Sequence, residues 1–144
     1  MSANSRLTVA FHLMTWLANK QLNNIEWIPS EQMATSVNTN AVFIRRILSL
    51  LKKAKLVLVQ HGGNHAGWKL ARKASDILLL EVFEAVESKP LFDMHHSILN
   101  PACHIAQGIQ PALQDVYIDV ENSIKRELSQ KTVADLLNRT LNGR

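Results

Sequence analysis

The chain has 144 residues, 47% apolar and 19% charged, with one cysteine and a formal net charge of +4. That composition can bury one compact core, or a small domain with an accessory element, and excludes a disordered chain. A single thiol excludes an intrachain disulfide and a four-thiolate metal or iron–sulfur site within one chain.

In chain order, residues 5–20 read as a helix with Leu7, Ala10, Phe11, Met14, Leu17 and Ala18 on one apolar face. Residues 19–24 are a polar turn, and Ile25–Ile28 is a short β-favouring piece stopped by Pro29. Ser30 is the expected N-cap of a short second helix over 31–36, with Met33, Ala34 and Val37 inward. After the turn Asn38-Thr39-Asn40, Asn40 caps a third helix over 41–54. Its inward stripe is expected to be Phe43, Ile47, Leu50 and Ala54, which leaves Arg45, Arg46, Ser49, Lys52 and Lys53 outside. A short helix, a tight turn and a longer basic helix form the helix-turn-helix pattern. Leu56–Gln60, a turn holding Gly62, Gly63 and Gly67, and Trp68–Ala71 predict a two-stranded wing.

Ser75 is expected to cap a fourth helix over 76–88, with Ile77, Leu80, Phe83 and Ala85 or Val86 inward, ended by Lys89-Pro90. Residues 91–104 read as irregular. A long helix follows from Ile105 or Gly108 to Leu128, with Pro111 in its first turn or at a kink. Ile109, Leu113, Val116, Val120, Ile124 and Leu128 alternate steps of three and four along it, a narrow seam suited to a partner helix. Thr132-Val133-Ala134-Asp135 resembles a capping box opening a last helix to about Arg139. The expected fold is mainly α with a small β wing. A winged helix-turn-helix domain covers 1–88; a linker, a long dimerisation helix and a short terminal helix cover 89–144.

Charge is unevenly placed. From Gln32 to Ser75 there is no acid, yet eight of the sixteen bases lie there: Arg45, Arg46, Lys52, Lys53, Lys55, Lys69, Arg72 and Lys73. From Asp76 onward ten acids face six bases. A local field of that sign suits double-stranded DNA. A phosphate-binding glycine loop and an activated nucleophile are both missing, so no enzyme is expected; the rival reading is a winged helix used as a protein–protein adaptor without DNA binding. One thiol, no apolar run of membrane length and a poor signal segment at Leu7–Ala18 predict a cytoplasmic protein with no membrane contact.

The run Ser36-Val37-Asn38-Thr39-Asn40-Ala41-Val42-Phe43-Ile44-Arg45-Arg46-Ile47-Leu48 resembles the helix-turn-helix of the Rrf-two family of bacterial transcription regulators. The glycine wing with Trp68-Lys69-Leu70-Ala71 is similar too, as are Asn100-Pro101-Ala102-Cys103-His104, Gly108-Ile109-Gln110 and 132–137. The resemblance covers nearly the whole chain. It implies a homodimer, probing the major groove with the third helix and the minor groove with the wing, its long helices crossing at an interface formed by Ile109, Leu113, Val116, Val120 and Ile124. Repression is the family's usual mode.

The resemblance also implies site residues. Ser30 and Gln32 would donate to phosphates. Asn40, Ala41, Val42, Arg45 and Arg46 occupy base-reading positions, where Arg pairs with guanine and Val or Ala packs on a thymine methyl. His61, Asn64 and His65 lie at the wing tip, His61 where the family often carries Arg. The family's cluster-bearing sensors use three cysteines between the fourth and the long helix; only the last, Cys103, has a counterpart. The chain is therefore expected to be a cluster-free member with no cofactor. His95, His96, Cys103 and His104 are the only group with metal-ligand chemistry, and adjacent histidines in irregular chain are commonly hydrogen-bonded or exposed, so no metal is expected. Cys103 is a candidate redox sensor, and the small-molecule effector is not specified by any motif.

Overall fold

A computed structural model describes residues 3–143. Six α-helices and a two-stranded antiparallel sheet follow in the order α1 (Ala3–Leu22), α2 (Ser30–Val37), α3 (Ala41–Lys53), β1 (Val57–Gln60), β2 (Gly67–Leu70), α4 (Leu79–Val86), α5 (His104–Leu128) and α6 (Val133–Asn142), with a 3-10 turn at Ala74–Asp76 before α4. This is a winged helix-turn-helix with a long C-terminal helix.

Helix α1 is the centre of the core. Ala10, Leu13, Met14, Leu17 and Ala18 are buried and recur every three or four residues; Leu7 and Phe11 are only partly buried, and Val9 and Leu13 complete the face. Met33 and Ala34 of α2 pack into the same core, while Val37 is half-buried. Pro29, not Ser30, is the N-cap residue of α2; Ser30 is its first residue and is buried.

The wing is tied to the core through its second strand. β1 and β2 pair in the register Val57↔Leu70, Leu58↔Lys69, Val59↔Trp68 and Gln60↔Gly67. On its other side Trp68 exchanges both backbone hydrogen bonds with Ile28: the Ile28 N–H donates to the Trp68 carbonyl at 2.9 Å, and the Trp68 N–H to the Ile28 carbonyl at 2.8 Å. Ile25–Ile28 thus lends a single bridging residue to the sheet, with Trp68 buried beneath it. Gly67 allows that approach. Its φ is +153°, and a Cβ there would lie 2.6 Å from the Ile28 carbonyl carbon.

The fourth helix is shorter than its sequence suggests. Ile77 and Leu78 are extended, because they pair with the segment before α6: Leu78 bridges Thr132, the Val133 N–H donates to the Ile77 carbonyl at 2.9 Å, and the Leu79 N–H to the Lys131 carbonyl at 2.9 Å. That tertiary pairing overrides the local helical tendency and splits 76–88 into a 3-10 turn and α4. The buried positions become Ile77, Leu79, Val82, Phe83 and Val86, whereas Leu80 is half-buried and Ser75 is exposed and caps nothing. Arg72, just after β2, spans the joint. It pairs bidentately with Glu81 (2.6 and 3.3 Å) and donates to the Asp76 carbonyl. This guanidinium holds the Glu81 carboxyl below its ordinary range; partial burial opposes the shift, and the Leu78 N–H, donating at 2.8 Å, adds to it.

Helix α6 is capped as expected, the Thr132 hydroxyl accepting from the Asp135 N–H (3.0 Å) and the Asp135 carboxylate from the Thr132 N–H (2.9 Å). Its Val133 and Leu137 are buried in the core beside α1, so although the sequence division at 88/89 sets α6 apart, it rejoins the first half in space.

Two outcomes test these joints. Gly67→Ala is expected to lower unfolding free energy by about 1–3 kcal/mol, as backbone collisions at special φ do; an unchanged denaturation midpoint would contradict the close approach. Glu81→Gln is expected to be less stable than wild type at neutral pH. Because the folded carboxyl is depressed, its stabilisation is complete above its unfolded value and is lost as pH falls through the folded one. The gap should therefore close in acid; a gap independent of pH would remove the ion pair from the account.

Candidate nucleic-acid interface

Helix α3 displays the candidate residues because of what it buries. Ile44, Ile47, Leu48 and Leu51 are fully buried at an i, i+3, i+4, i+7 spacing. The stripe expected from sequence shares only Ile47 with this set. Phe43 is half-buried, Leu50 is 36% exposed and Ala54 is exposed. The two stripes lie side by side, and the aliphatic one fills the space between α1, α2 and α4. The outward set survives this correction: Val42 (53% exposed), Arg45, Arg46, Ser49, Lys52 and Lys53 all face solvent, and Ala41 is half-buried at the helix start.

Asn38, in the left-handed conformation (φ 64°), closes α2. Asn40 then caps α3, its side-chain oxygen accepting from the Phe43 N–H at 2.8 Å. One acceptor of Asn40 is thus engaged in the fold, while its amide N–H donors point from an exposed residue at the helix front. Gln32 on α2 is exposed. Ser30 is not: 5% of its surface is accessible, and its hydroxyl lies 3.3 Å from Arg45 Nη1. The same nitrogen lies 3.4 Å from Glu31 Oε1. Arg45 is therefore exposed but tethered to the first turn of α2, a contact that no sequence pattern within α3 announces.

His61, Asn64 and His65 are exposed in the loop between β1 and β2. Gly62 and Gly63, both with φ above +70°, turn the chain there in open space. The Gln60 side chain donates to the His65 carbonyl at 3.2 Å and ties the loop across its base. Trp68 packs in the core below this tip.

Ion pairs divide the eight bases of the acid-free stretch. Arg45 pairs with Glu31, Lys69 with Glu26 (3.9 Å), and Arg72 with Glu81. Lys69 also sits over the Trp27 ring at 4.7 Å. Among the described residues Arg46, Lys52, Lys53, Lys55 and Lys73 have no salt bridge. The positive field left available to a polyanion is concentrated on α3 and its C-terminal end.

Helix α5 stands apart from this surface. Among the helices and strands its main neighbour is α4. The connection 90–103 folds back along it: the Leu91 N–H donates to Glu121 Oε1 at 3.0 Å, Phe92 stacks on Tyr117 with centroids 4.6 Å apart, and Gln110 Nε2 donates to the His95 carbonyl at 3.0 Å. Nothing on α5 is fully buried. Ile109, Val116 and Val120 are exposed and Leu113 and Ile124 half-buried, with Ile105 extending the stripe at 74% exposure. Leu128, the seam's expected end, packs on its own core instead. Pro111 lies inside α5 rather than in its first turn, so the Gln107 carbonyl lacks its usual N–H donor.

The chain matches the family Rrf2, described as "Iron-dependent Transcriptional regulator", over residues 3–139. The chain belongs to the Rrf2 family. It is the Rrf-two family that the sequence resembles, and the protein is a DNA-binding transcriptional regulator. It is 36% identical over 135 residues to YwnA of Bacillus subtilis (strain 168), whose name places it among HTH-type transcriptional regulators; the match covers 94% of this chain and 96% of YwnA. The fold is shared with IscR of T. potens (TM-score 0.71, 21% identity, 97% of this chain and 87% of that one) and with CymR, the global cysteine regulator of B. subtilis (TM-score 0.69, 19% identity, 96% and 95%).

The family description implies a metal, and an iron–sulfur cluster requires several thiolates. This Rrf2 chain has one cysteine, half-buried at the boundary where α5 begins. Among the described residues no group of three or more His, Cys, Asp or Glu is placed to hold a metal ion. His95 Nδ1 accepts instead from the Ser97 N–H at 3.2 Å. The donor set does not fit a cluster. No described helix is long and apolar enough to cross a membrane.

Asn40 separates folding from binding. Asn40→Ala is expected to cost about 1 kcal/mol of stability through the lost cap. Asn40→Asp keeps an acceptor for the Phe43 N–H, so it should retain stability while weakening duplex binding by placing an anion at the helix front. Thermal melts and fluorescence-anisotropy titrations check the pair; an Asn40→Asp protein with undiminished duplex affinity would put this helix front away from DNA.

Proposed function

We propose that this Rrf2 protein is a sequence-specific repressor that acts as a cytoplasmic homodimer. Asn40, Ala41, Val42, Arg45 and Arg46 lie in the major groove, Gln32 meets phosphate, and His61, Asn64 and His65 of the wing approach the minor groove. The observation that carries the reading is the exposed basic face of α3, followed in the chain by a glycine-tipped hairpin, with Arg46, Lys52 and Lys53 in no salt bridge among the described residues. Phosphate contacts supply most of the affinity, and base edges read by Val42 and the two arginines supply the selectivity. Ser30 contributes through Arg45, since its hydroxyl is buried against that side chain.

Dimerisation is supported by the exposed stripe Ile105, Ile109, Val116 and Val120 on a helix with no fully buried residue. Burying that stripe against a second copy removes apolar surface from water and sets two α3 helices on one duplex. Leu113 and Ile124 flank the contact. Cys103, at the start of α5, is the thiol through which an oxidant such as a peroxide acts, by forming a sulfenic acid next to that helix.

The purified protein is expected to sediment as a dimer and to bind duplex DNA with an affinity that falls steeply and log-linearly with salt. Val116→Asp with Val120→Asp should yield a folded monomer that loses cognate binding. A wild-type monomer, or a duplex affinity insensitive to salt, would overturn the reading. Peroxide should alter binding by the wild type and leave Cys103→Ser unaffected; equal responses would remove Cys103 from it.

A further inference from the structure

We propose that Glu31 controls the selectivity of Arg45 toward DNA, by holding its guanidinium on α2 until a base edge replaces the carboxylate. The proposal rests on the reading that α3 carries Arg45 to the duplex. Its basis is a three-residue contact in the free protein, in which Arg45 Nη1 lies 3.3 Å from Ser30 Oγ and 3.4 Å from Glu31 Oε1. The two anchors differ in kind. Ser30 is buried and part of the packed first turn of α2, so it fixes where the guanidinium rests. The Glu31 side chain is 70% exposed, and that of Arg45 is 47% exposed, so their pairing can open without disturbing the core.

The neighbouring bases show what this contact withholds. Arg46, Lys52 and Lys53 of α3 have no carboxylate partner among the described residues. They offer their charge to any phosphate. Among the described residues Arg45 is the one base of this helix in a salt bridge, and its acid lies on another element. Glu31 is also the last acid before the acid-free stretch that begins at Gln32, and its carboxylate is spent on one arginine.

A carboxylate at the front of α2 repels a polyanion, and it weakens binding to every duplex. Selectivity is a difference between two affinities, so only a cost that differs between the two duplexes changes it. On arbitrary sequence, Arg45 stays on Glu31, since a phosphate offers it little more than the carboxylate does. At a guanine presenting O6 and N7 it exchanges Glu31 for a bidentate contact in a drier groove. The cost of parting the pair therefore falls on the cognate complex, and Glu31 lowers cognate affinity more than indiscriminate affinity. It is a positioning residue that touches DNA only through Arg45.

The test is a double-mutant cycle on the full chain with wild type, Glu31→Gln, Arg45→Ala and the double variant. Each is titrated with a duplex selected from genomic fragments by the wild-type protein and with a scrambled duplex of equal length, over a salt series. Melting curves verify folding, which an exposed Glu→Gln change should leave intact. Glu31→Gln is expected to tighten cognate binding about two- to fivefold, the scale of an exposed ion pair, and to tighten scrambled-duplex binding by less. In the Arg45→Ala background the same change should do nothing to the cognate-to-scrambled ratio. If Glu31→Gln tightens both duplexes equally, or acts identically with and without Arg45, Glu31 contributes only bulk charge and the proposal falls. If Glu31→Gln changes neither affinity, it falls likewise. If Arg45→Ala alone leaves cognate binding intact, the placement of Arg45 at the duplex fails first, and this inference with it.

Discussion

The structure depends on how α3 is seated. Ile44, Ile47, Leu48 and Leu51 are buried between α1, α2 and α4, each contributing about 1.5–3 kcal/mol on removal from water. An exposed ion pair contributes about 0–1 kcal/mol. Hydrophobic seating therefore decides the rotation of the helix, and the charged side chains take the positions that are left. Arg45, Arg46, Lys52 and Lys53 face outward because four aliphatic residues face inward. The tether from Arg45 to Ser30 and Glu31 adjusts one side chain within that frame; it does not set the frame.

The wing is held by a different kind of constraint. Two strands of four residues make a marginal hairpin by themselves. Here the hairpin gains a third backbone partner at Ile28 and a buried indole at Trp68, and both need a residue without a side chain at 67. The linker before α2 and the wing after α3 are thereby locked together. The helix front and the loop 61–66 are displayed from one packed unit. Acids outside the basic stretch then sort its charges. Glu81 and Glu26 tie Arg72 and Lys69 into joints of the fold, and among the described residues the bases in no salt bridge within the acid-free stretch lie mainly on α3.

Much of this was legible in the sequence, and the misses share a physical origin. Periodicity and capping chemistry located α1, α3 and α6, because Asn40 and Thr132 cap as their side chains dictate and the apolar residues recur at helical spacing. The wing was legible because its glycines mark the turn. What periodicity could not resolve was which of two adjacent stripes on α3 is buried, since both contain Ile47 and the answer depends on the shape of the neighbours. The fourth helix misled for a related reason. Residues 76–78 favour a helix locally, but pairing between Ile77–Leu78 and 131–133 joins segments far apart in sequence, and that pairing is absent from any local window. Ser30 illustrates the same limit at the interface: its type and place at the start of α2 suit a phosphate donor, while its burial and its contact with Arg45 are tertiary facts.

Burial of the Ile44–Leu51 face sets which side of α3 is displayed, and the proposed function puts position 42 and its neighbours in the major groove, twice on one duplex. Affinity cleavage measures this directly. A Val42→Cys substitution in a Cys103→Ser background, carrying a thiol-linked iron–EDTA, should cut a bound cognate duplex in two clusters offset as major-groove cleavage is, their centres separated by about one helical turn of 34–36 Å or a multiple of it. Cleavage that is uniform along the duplex, or no stronger than that from untethered reagent, would contradict the account.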